Sequence, residues 1–404
     1  MSLIDQLASV EVWNAFLEEK IAGNHLDKRQ LADLSAFIQN QEYLSVVHKM
    51  MNKESFYPPL KQTISKQSSS KKRIVYSFAR EENYVLKLLT YLLIRKYDHL
   101  FAKNLYSFRS NHGVKKAVDY IRGDHNLSDK YVYKVDIRNY FNSVDVSKLL
   151  PMLKQIMKDE IDIYAFIERL LTDPRVRTTD GMVVQEEKGI MAGVPISSFL
   201  ANVYLHQLDW HFFEKGNRYA RYSDDIIVFS RDSMEREADR AYIQSYLASM
   251  SLSVNLDKES TADPQEPWDF LGVSYQNGIF DISPISLMKL KKKMWRKSRA
   301  LLRWKNRKHL DNICAAKAFV KSFNIKLYDN PKNTELTWSR WYFPIINTTE
   351  SLAQLDHYMQ ECIRYIATGR RTKKRYDFTY QMMKGLGYRS LVNEYYKLKD
   401  ISRK

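Results

Sequence analysis

The Tyr-Ser-Asp-Asp run at positions 222–225 constrains this chain more than any other feature. It lies between two strand-like runs, 218–221 and 226–229, so two adjacent carboxylates occupy a tight turn between apolar strands. Like charges repel at this distance and Asp disfavours strands, so the arrangement does not serve stability. A divalent ion that takes hard oxygen ligands, such as Mg²⁺, removes this objection. The turn therefore predicts a metal site if the chain supplies a third carboxylate.

The third carboxylate is Asp136, which ends a run of alternating Tyr and Val. If this run is a strand that pairs with the 222–225 hairpin, Asp136 and Asp224 face each other at one end of the sheet. Asp136, Asp224, Asp225 and the main-chain carbonyl of Ile137 then form a site for two Mg²⁺ ions, for which Mn²⁺ is a substitute. Two such ions activate an attacking hydroxyl and stabilise a leaving pyrophosphate.

The chain carries a large excess of positive charge, with 64 Lys and Arg against 47 Asp and Glu residues and a net charge of +17. This excess indicates a polyanionic partner, nucleic acid before membrane, although an ordinary basic enzyme is the alternative. Cys314 and Cys362 are too few and too distant for a zinc site or a disulfide framework, which indicates a reducing compartment. With no long apolar run and no signal peptide, we expect a cytoplasmic protein without membrane contact.

Strand-like runs alternate with helical segments, which predicts an α+β fold with an antiparallel sheet that carries helices on one face. Residues 1 to about 60 read as short helices, and 66–73 reads as a polar, basic loop. The segment 286–308 is rich in Lys and Arg, has no acidic residue and contains an apolar stripe at helical spacing. It predicts a helix with one face in a core and the other towards a polyanion.

Six segments, in order and at family-like spacing between about 70 and 280, resemble the motifs of reverse transcriptases. The resemblance is greatest to the bacterial and group II intron branch. In chain order, the segments are similar to the fingers motif (105–109), the first three palm motifs (136–145, 189–205 and 222–225), the fourth motif (255–258) and the primer-gripping fifth motif (270–272). The combination is far more specific than any one of these motifs.

The resemblance implies a right-hand polymerase with fingers, a ferredoxin-like palm and a helical, basic thumb. It places an N-terminal helical extension at 1–60, fingers at 61–130, a palm at 131–280 with fingers elements interleaved at about 150–190, and a thumb at 281–404. The implied activity is RNA-directed DNA polymerisation, in which dNTPs are added to a primer on an RNA template and a DNA product is formed.

The resemblance also implies roles near the nucleotide. Phe141 occupies the position of a bulky gate that excludes a 2′-OH, the group that separates RNA from DNA precursors; a core phenylalanine is the alternative. Arg73, with Lys72 as the second candidate, clamps the triphosphate through charge-assisted bonds. Ala192 and Gly193 belong to a turn beneath the incoming base.

Further roles concern the leaving group and the nucleic acid strands. Lys258 is a candidate general acid for the pyrophosphate, although a surface lysine is the alternative. Arg109 either holds the template backbone or orders the fingers, and Asp145 caps the next helix rather than binding metal. The remaining candidates for contact with nucleic acid are Tyr222, Leu271 and Gly272, with the helical residues Lys292, Arg296, Arg299 and Arg303.

The second palm motif departs from the family pattern, because Ala192 stands where most relatives have Gln and Ser198 where they have Pro. The loss of Gln puts ordinary processive copying in doubt. It fits the divergent "unknown group" of bacterial reverse transcriptases, several of which serve antiphage defence. The segment 385–396 also resembles an ending found in such enzymes. We therefore expect a defence enzyme that uses an operon-encoded noncoding RNA, and a homo-oligomer or a partner defence protein stays open.

Other functions remain as alternatives. An RNA-dependent RNA polymerase shares the palm, but Phe141 favours deoxynucleotides. A retron-type reverse transcriptase is a closer rival, although the chain is long for one and lacks the Val-Thr-Gly signature of that group's thumb. A catalytically inactive RNA-binding scaffold is the candidate from a different class. The three retained carboxylates argue against it, because an inactive site has no use for buried like charges.

Overall fold

The computed structural model of the protein describes residues 1–23, 26–65, 72–328, 337–370 and 372–401. The chain divides by its internal contacts into two compact units, Met1–Pro264 and Gln265–Lys404. The bounds of the palm at 131–280 given in the sequence analysis stay a prediction, and the division after Pro264 falls inside them. The segment 270–272, predicted to grip the primer, therefore belongs to the C-terminal unit.

The elements of the N-terminal unit are numbered in chain order. Its helices are α1 (Leu3–Ala8), α2 (Val10–Ala22), α3 (Lys28–Gln39), α4 (Tyr43–Met51), α5 (Arg80–Tyr97), α6 (Val114–Arg122), α7 (Tyr140–Ser143), α8 (Val146–Ile156), α9 (Ile161–Thr172), α10 (Ser197–Tyr204), α11 (His206–Lys215) and α12 (Ser233–Ser249). Its strands are β1 (Leu60–Ser65), β2 (Lys72–Ser77), β3 (Tyr131–Asp136), β4 (Arg175–Arg177), β5 (Val183–Gln185), β6 (Arg218–Tyr222), β7 (Asp225–Ser230) and β8 (Ser260–Ala262).

The first four helices occupy the segment in which the sequence predicts short helices. Ser2 and Asp27 begin α1 and α3 with capping boxes, in which the side chain at the cap and the side chain three residues on satisfy each other's backbone N–H groups. The ring of Trp13 lies 5.4 Å from that of Phe37 and 5.1 Å from that of Tyr43. Helices α1 and α4 pack against α5, which joins this cluster to the rest of the unit.

The central sheet, as we call it, has the strand order β6-β7-β3-β8 among the described residues, and every neighbouring pair is antiparallel. Helix α12 packs against β3 and β7. Strand β7 is buried along Ile226–Phe229, which explains why its sequence is continuously apolar rather than alternating. The predicted α+β class with an antiparallel sheet is confirmed.

A second sheet of the N-terminal unit has the order β2-β1-β4-β5. Strands β1 and β2 form an antiparallel hairpin, with Leu60 opposite Ser77 and Ile64 opposite Arg73. Between these strands, 66–71 of the basic loop expected at 66–73 lies outside the described residues. The sheet is joined to the 189–197 loop because the Tyr76 N–H donates to the carbonyl of Ala192 at 2.8 Å.

The C-terminal unit begins with a small antiparallel sheet and continues as helices. Its strands are β9 (Trp268–Phe270), β10 (Val273–Gln276) and β11 (Ile279–Ile282). Its helices are α13 (Pro284–Lys308), α14 (Asn312–Leu327), α15 (Trp338–Tyr342), α16 (Glu350–Thr368), α17 (Tyr380–Gly385) and α18 (Leu391–Ile401). Helices α13, α14 and α16 pack together. None of the described helices in either unit is long and apolar enough to cross a bilayer.

The C-terminal segment 385–396 is held by one carboxylate on α16. Asp356 accepts hydrogen bonds from the Tyr388 hydroxyl at 2.9 Å, from the Ser390 hydroxyl at 2.6 Å, and from the N–H groups of Leu391 and Val392. A carboxylate at the start of α18 satisfies amides that have no partner inside the helix and interacts favourably with the helix dipole. This segment therefore has a structural role in the C-terminal unit.

Candidate active site

The register of the central sheet brings the predicted carboxylates to one end of it. Strand β3 pairs with β7 so that Asp136 lies opposite Asp225. Asp224 is one residue earlier, at the turn, and its carbonyl accepts the Ile137 N–H at 3.0 Å. The sequence analysis expected Asp224 to face Asp136, so the strand pairing is as predicted but the directly opposite residue is Asp225. The difference follows from the turn, which occupies Ser223 and Asp224.

The turn itself has an unusual backbone. Ser223 has a φ of +60°, in the left-handed region that side chains other than glycine rarely adopt. Phe108, Asn139 and Met191, in the segments around the site, also have positive φ values. Strained residues of this kind persist only where the surrounding structure holds them, and they concentrate at functional sites. The hydrogen bonds that Arg221 and the Ile137 N–H donate to carbonyls of the turn supply such support.

Asp224 and Asp225 resist ionisation in this environment. Burial, followed by repulsion from Asp136, raises the pKa of Asp224. Burial, followed by repulsion from Asp224 and Asp136, raises the pKa of Asp225 to about 7. The end of the sheet therefore concentrates negative charge for which the protein supplies only part of the compensation. Carboxylate oxygens are the type of ligand that a hard divalent cation takes.

Asp136 is already held by two neighbours. The Asn255 side-chain amide donates to Asp136 Oδ1 at 2.8 Å, the Asn255 N–H donates to the Asp136 carbonyl at 2.8 Å, and the Lys258 ammonium pairs with Oδ2. In the described part of the chain, no group of three or more His, Cys, Asp or Glu side chains is arranged to hold a metal ion. The Asn255 amide and the Lys258 ammonium thus each occupy one carboxylate oxygen of Asp136.

Lys258, the predicted general acid, thus lies in direct contact with the site. Burial lowers its pKa, but the hydrogen bond to Asp136 and the surrounding carboxylates outweigh this effect, so its pKa is raised overall. The ammonium therefore keeps its proton at neutral pH. Asn255 was not predicted as a site residue, although it begins the 255–258 motif, and that position was the available signal.

A buried ion pair supports the catalytic turn from behind. Arg221 donates to the Asp209 carboxylate through Nε at 2.8 Å and Nη2 at 2.5 Å, and both side chains are 0% exposed. A third guanidinium nitrogen, Nη1, donates to the Ser223 carbonyl at 3.3 Å. Tyr219 adds its hydroxyl to Asp209 at 3.0 Å. The sequence analysis missed this pair, because Arg221 stood in a strand-like run and Asp209 in a helical one.

Phe141, the predicted gate, belongs to an aromatic cluster beside the carboxylates. Its ring lies 6.2 Å from that of Phe108 in an edge-to-face arrangement, and the Phe108 ring lies 6.4 Å from that of Tyr222. Phe108 is 37% exposed and has a φ of +56°. Edge-to-face pairs fix ring orientation, so Phe108 helps to define how Phe141 stands. The role of Phe141 in sugar selection stays a prediction.

The loop at 189–197 is tied to Phe141 and to the neighbouring Asn142. The Ile190 N–H donates to the Phe141 carbonyl at 2.8 Å, and the Ala192 N–H donates to the Asn142 side-chain oxygen at 2.8 Å. The Asn142 amide nitrogen donates to the carbonyl of Ile74 in β2 at 3.2 Å. Asn142 therefore joins three segments, and the sequence analysis did not single it out.

Two glycines allow this close approach. A Cβ on Gly189 would lie 2.6 Å from the Phe141 carbonyl oxygen, and the residue has a φ of +54°. A Cβ on Gly193 would lie 3.0 Å from the Tyr76 carbonyl oxygen, with a φ of +100°. Only glycine satisfies both requirements at such positions. Gly193 and Ala192 thus lie where β2 meets the loop, which is compatible with their predicted place beneath a base.

The predicted phosphate clamp lies at the start of β2. Arg73 and Lys72 are both exposed. The charge of Arg73 acts on Asp224, whose pKa it lowers against the effects of burial and of Asp136. Arg73 is therefore close enough to influence the carboxylates, and its role as a clamp stays a prediction.

The Arg109 guanidinium forms hydrogen bonds with residues shortly before it in the chain. Its guanidinium binds the Asp98 carboxylate through Nε at 2.7 Å and Nη2 at 3.0 Å, and Nη1 donates to the carbonyls of Ala102 and Leu105. The side chain is only 5% exposed. Of the two predicted roles, this geometry favours ordering of the fingers over contact with template, because the donors are already used. The hydrogen bond from Arg109 lowers the pKa of Asp98.

Asp145 caps α8, as predicted. Its side chain accepts from the Ser147 N–H at 3.0 Å and from the Ser251 hydroxyl at 3.1 Å. The hydrogen bonds from Ser147 come first among the causes that lower the Asp145 pKa. A capping carboxylate with these partners is occupied by the protein and does not join the carboxylate group at the sheet end.

The residues predicted to contact primer and duplex lie in the C-terminal unit. Leu271 and Gly272 form a left-handed turn between β9 and β10, with φ values of +49° and +89°. A Cβ on Gly272 would lie 3.0 Å from the Tyr342 hydroxyl oxygen. On α13, four predicted contact residues are exposed: Lys292, Arg296, Arg299 and Arg303. Leu287, Met294 and Leu301 of the same helix are buried, so the predicted two-sided helix is present.

Comparison with solved structures finds telomerases at 11 to 12% identity. Apo telomerase from Candida tropicalis, truncated from its C-terminal domain, has a TM-score of 0.46 over 56% of this chain and 55% of that one. Candida albicans telomerase with a TWJ fragment of telomeric RNA has a TM-score of 0.46 over 88% and 71%. Apo Candida tropicalis telomerase has a TM-score of 0.48 over 82% and 69%. The chain thus spans about half of the first of these structures.

Comparison with curated proteins finds no match. A family model does match, and its description is reverse transcriptase (RNA-dependent DNA polymerase). It covers residues 64–275, more than half of the chain, and includes the paired carboxylates of β3 and β7 as well as the 189–197 loop. This protein therefore belongs to the reverse transcriptase (RNA-dependent DNA polymerase) family.

Proposed function

We propose that the end of the central sheet is the catalytic centre at which dNTPs are added to a primer 3′-OH on an RNA template. The observation that carries this proposal is the register of β3 and β7, which sets Asp136 opposite Asp225 and beside Asp224. Half-buried carboxylates with raised pKa values, as at Asp224 and Asp225, serve no purpose in a scaffold, because their mutual repulsion opposes folding. They serve a polymerase that binds cations there.

Two Mg²⁺ ions are the cations that we assign to this centre. Asp136, Asp224 and Asp225 would hold them, with the Ile137 carbonyl as a further oxygen ligand. When bound, such ions supply activation of the primer hydroxyl and neutralise charge on the pyrophosphate. The protein's own part is to hold the carboxylates together, and the Arg221–Asp209 pair and the Ile137 hydrogen bond contribute to this.

The neighbouring residues then act on the nucleotide. Lys258 carries the proton that passes to the leaving pyrophosphate oxygen, and its raised pKa keeps that proton available. Arg73 and Lys72 bind the triphosphate by charge-assisted hydrogen bonds. Phe141 blocks a 2′-OH by its ring edge, while Ala192 and Gly193 lie beneath the base.

The C-terminal unit supplies the contacts to the duplex in this proposal. The exposed cations Lys292, Arg296, Arg299 and Arg303 lie along one helix and neutralise phosphates, so binding weakens steeply as salt is added. The turn at Leu271 and Gly272, in the same unit, contacts the primer strand. Tyr222, which precedes the catalytic turn, contacts the nucleic acid from the central sheet.

A carboxylate exchange tests the catalytic centre. Asp224→Asn removes one charge at the sheet end, and we expect primer extension on an RNA template to fall roughly 10³-fold. Asp145→Asn is the matched control, because Asn caps a helix about as well as Asp and the position lies outside the carboxylate group. Binding of Mn²⁺, followed by electron paramagnetic resonance, should weaken only in Asp224→Asn. Full extension by a folded Asp224→Asn protein contradicts the proposal.

We also propose that the enzyme acts in bacterial antiphage defence with an operon-encoded noncoding RNA. The support is the departure at Ala192 and Ser198 from the family pattern and the resemblance of 385–396 to the ending of defence-associated enzymes. Sequencing of the nucleic acids that co-purify from the native operon tests this proposal. A discrete RNA with wild type and with Asp224→Asn, and complementary DNA with wild type alone, is expected. Absence of a discrete RNA from both preparations contradicts it.

A further inference from the structure

An open cavity of about 480 Å³ lies on the N-terminal unit and shares no lining residue with the candidate active site. His99 and Leu100, which follow α5, and Ile156 of α8 form one part of its wall. Helix α11 forms the rest, through five residues whose spacing places them on a single helical face: His206, Gln207, Trp210, His211 and Glu214. This face of α11 therefore borders an open hollow.

The charge of this hollow differs from that of the chain as a whole. Although the net charge of the chain is +17, the described residues that line the hollow include no Lys and no Arg, and Glu214 is their one carboxylate. Proteins bind nucleic acid largely by neutralising its phosphates with Lys and Arg. Because the hollow lacks these cations, its chemistry suits a protein surface rather than a polyanion.

An exposed aromatic side chain lies beside the hollow. Phe213 is 41% exposed, although it belongs to the same helix as most of the lining residues. Its ring lies 5.3 Å from that of Trp210 in an edge-to-face arrangement, and the Trp210 indole N–H donates to the Leu100 carbonyl at 2.7 Å. These contacts hold both rings before a partner binds, which lowers the entropy cost of association. Aromatic side chains held in this way are typical anchors of protein interfaces.

Two polar side chains at opposite ends of α11 can each bind a further group. The His206 Nδ1 lies 2.7 Å from the Val203 carbonyl oxygen, which can only accept, so Nδ1 carries a hydrogen and Nε2 is left for another partner. In the described part of the chain, the exposed Glu214 carboxylate forms no ion pair and no hydrogen bond. Its charge acts on nearby His211, whose ring is stacked on that of Tyr242 at 3.7 Å. Because a carboxylate favours the charged form of an imidazole, His206 and Glu214 are complementary groups.

This face of α11 is complementary to itself. When two copies of the helix run antiparallel and cross at Trp210, position 206 of one copy lies beside position 214 of the other, and position 207 lies beside position 213. His206 then meets Glu214 of the second copy, and Phe213 of the second copy enters the cavity beside Gln207. A twofold axis forms both sets of contacts at once, as in the isologous interfaces of symmetric dimers. The anchor and the hollow that receives it thus come from one chain.

We propose that this protein forms a twofold-symmetric dimer through α11, with Phe213 of each copy in the cavity of the other and a His206–Glu214 ion pair at either end. The proposal goes beyond the proposed function and does not depend on it, because none of these residues belongs to the carboxylate group at the sheet end. An unrelated protein is the competing occupant of the cavity, and the test separates it from a second copy.

The state of association of the full chain tests this proposal. After nuclease treatment, sedimentation velocity over a concentration series gives the dimer dissociation constants of wild type and of Phe213→Glu. A side chain that anchors an interface contributes roughly 30-fold to affinity and the symmetry counts it twice, so Phe213→Glu should weaken the dimer roughly 10³-fold. Met182→Glu is the matched control, because Met182 is 60% exposed and precedes β5, and it should match wild type. Thermal melting verifies that each variant is folded.

A charge exchange tests the antiparallel pairing. Glu214→Lys should weaken the dimer roughly tenfold, and Glu214→Lys/His206→Glu should restore it, because the pair is then reversed across the axis. A failure of the double variant to restore the dimer would overturn this pairing. A wild type that stays monomeric at about 100 μM would overturn the dimer, even if another protein binds the face. A dimer that Phe213→Glu and Met182→Glu leave equally intact, or that nuclease treatment dissociates, would also overturn it.

Discussion

Removal of the arginine behind the catalytic turn should separate stability from activity. The Asp209 carboxylate is 0% exposed. In Arg221→Met, the Tyr219 hydroxyl is the one side-chain hydrogen-bond donor that it keeps among the described residues. Loss of one partner of a buried ion pair costs about 3–5 kcal/mol, because the remaining charge stays desolvated. Arg221→Met/Asp209→Leu removes both charges, so most of the stability should return, short of about 1 kcal/mol for the hydroxyl that loses its acceptor.

Activity should not return with stability. Both variants lack the guanidinium that donates to the Ser223 carbonyl, so the turn that carries Asp224 is less well held in each. Hydrogen exchange of β6 and β7, followed by mass spectrometry, gives the free energy of opening, and primer extension gives the activity. Lys115→Met is the control, because its partner Asp119 has a side chain that is 42% exposed and stays solvated without the lysine. A single variant that loses less than about 1 kcal/mol, or a double variant with full activity, refutes the reasoning.

Three other predictions follow from the same geometry. Gly189→Ala should destabilise the protein by more than about 2 kcal/mol, since its Cβ would meet the Phe141 carbonyl. Gly181→Ala is the control, because Gly181 also has a positive φ but has open space around it. Equal melting temperatures of the two variants would contradict this prediction. Because the pKa of Asp225 is raised from 3.8 to about 7, the folded state holds a proton that the unfolded chain releases. Without metal, the free energy of unfolding should therefore fall as pH rises through this range. In Asp225→Asn, the melting temperature should depend less on pH. Phe141→Ala should admit ribonucleotides in primer extension, and unchanged sugar selectivity would contradict its role as a gate.

The sequence was sufficient for the central sheet and its carboxylates because both depend on local patterns. An alternating run that ends in Asp136 and a continuous apolar run that begins after Asp225 define the two strands, and these charged residues mark the end at which the strands meet. The helix at 286–308 was predictable for the same reason, since its apolar stripe has helical spacing. These features need no knowledge of distant parts of the chain.

The supporting contacts could not be predicted, because they join residues far apart in sequence. Asp209 in a helix looks like an ordinary polar residue until the fold places it against Arg221. Arg109 reads as a free cation, but nearby carbonyls and the Asp98 carboxylate use its donors. The boundary after Pro264 also depends on packing, since the strands of 268–282 have the same local pattern wherever they dock.

The hydrogen bonds of Asn142 and Phe141 to neighbouring segments have a consequence for engineering this protein. The Asn142 side-chain amide accepts from the Ala192 N–H and donates to the Ile74 carbonyl, while the adjacent Phe141 carbonyl accepts the Ile190 N–H. A library that varies Phe141 to change the accepted substrate therefore also shifts the loop, and a library that varies the loop shifts the gate. Substitutions at these positions should show strong epistasis, so combinatorial variation of Phe141, Asn142 and Ala192 should reach variants that sequential single-site selection rejects.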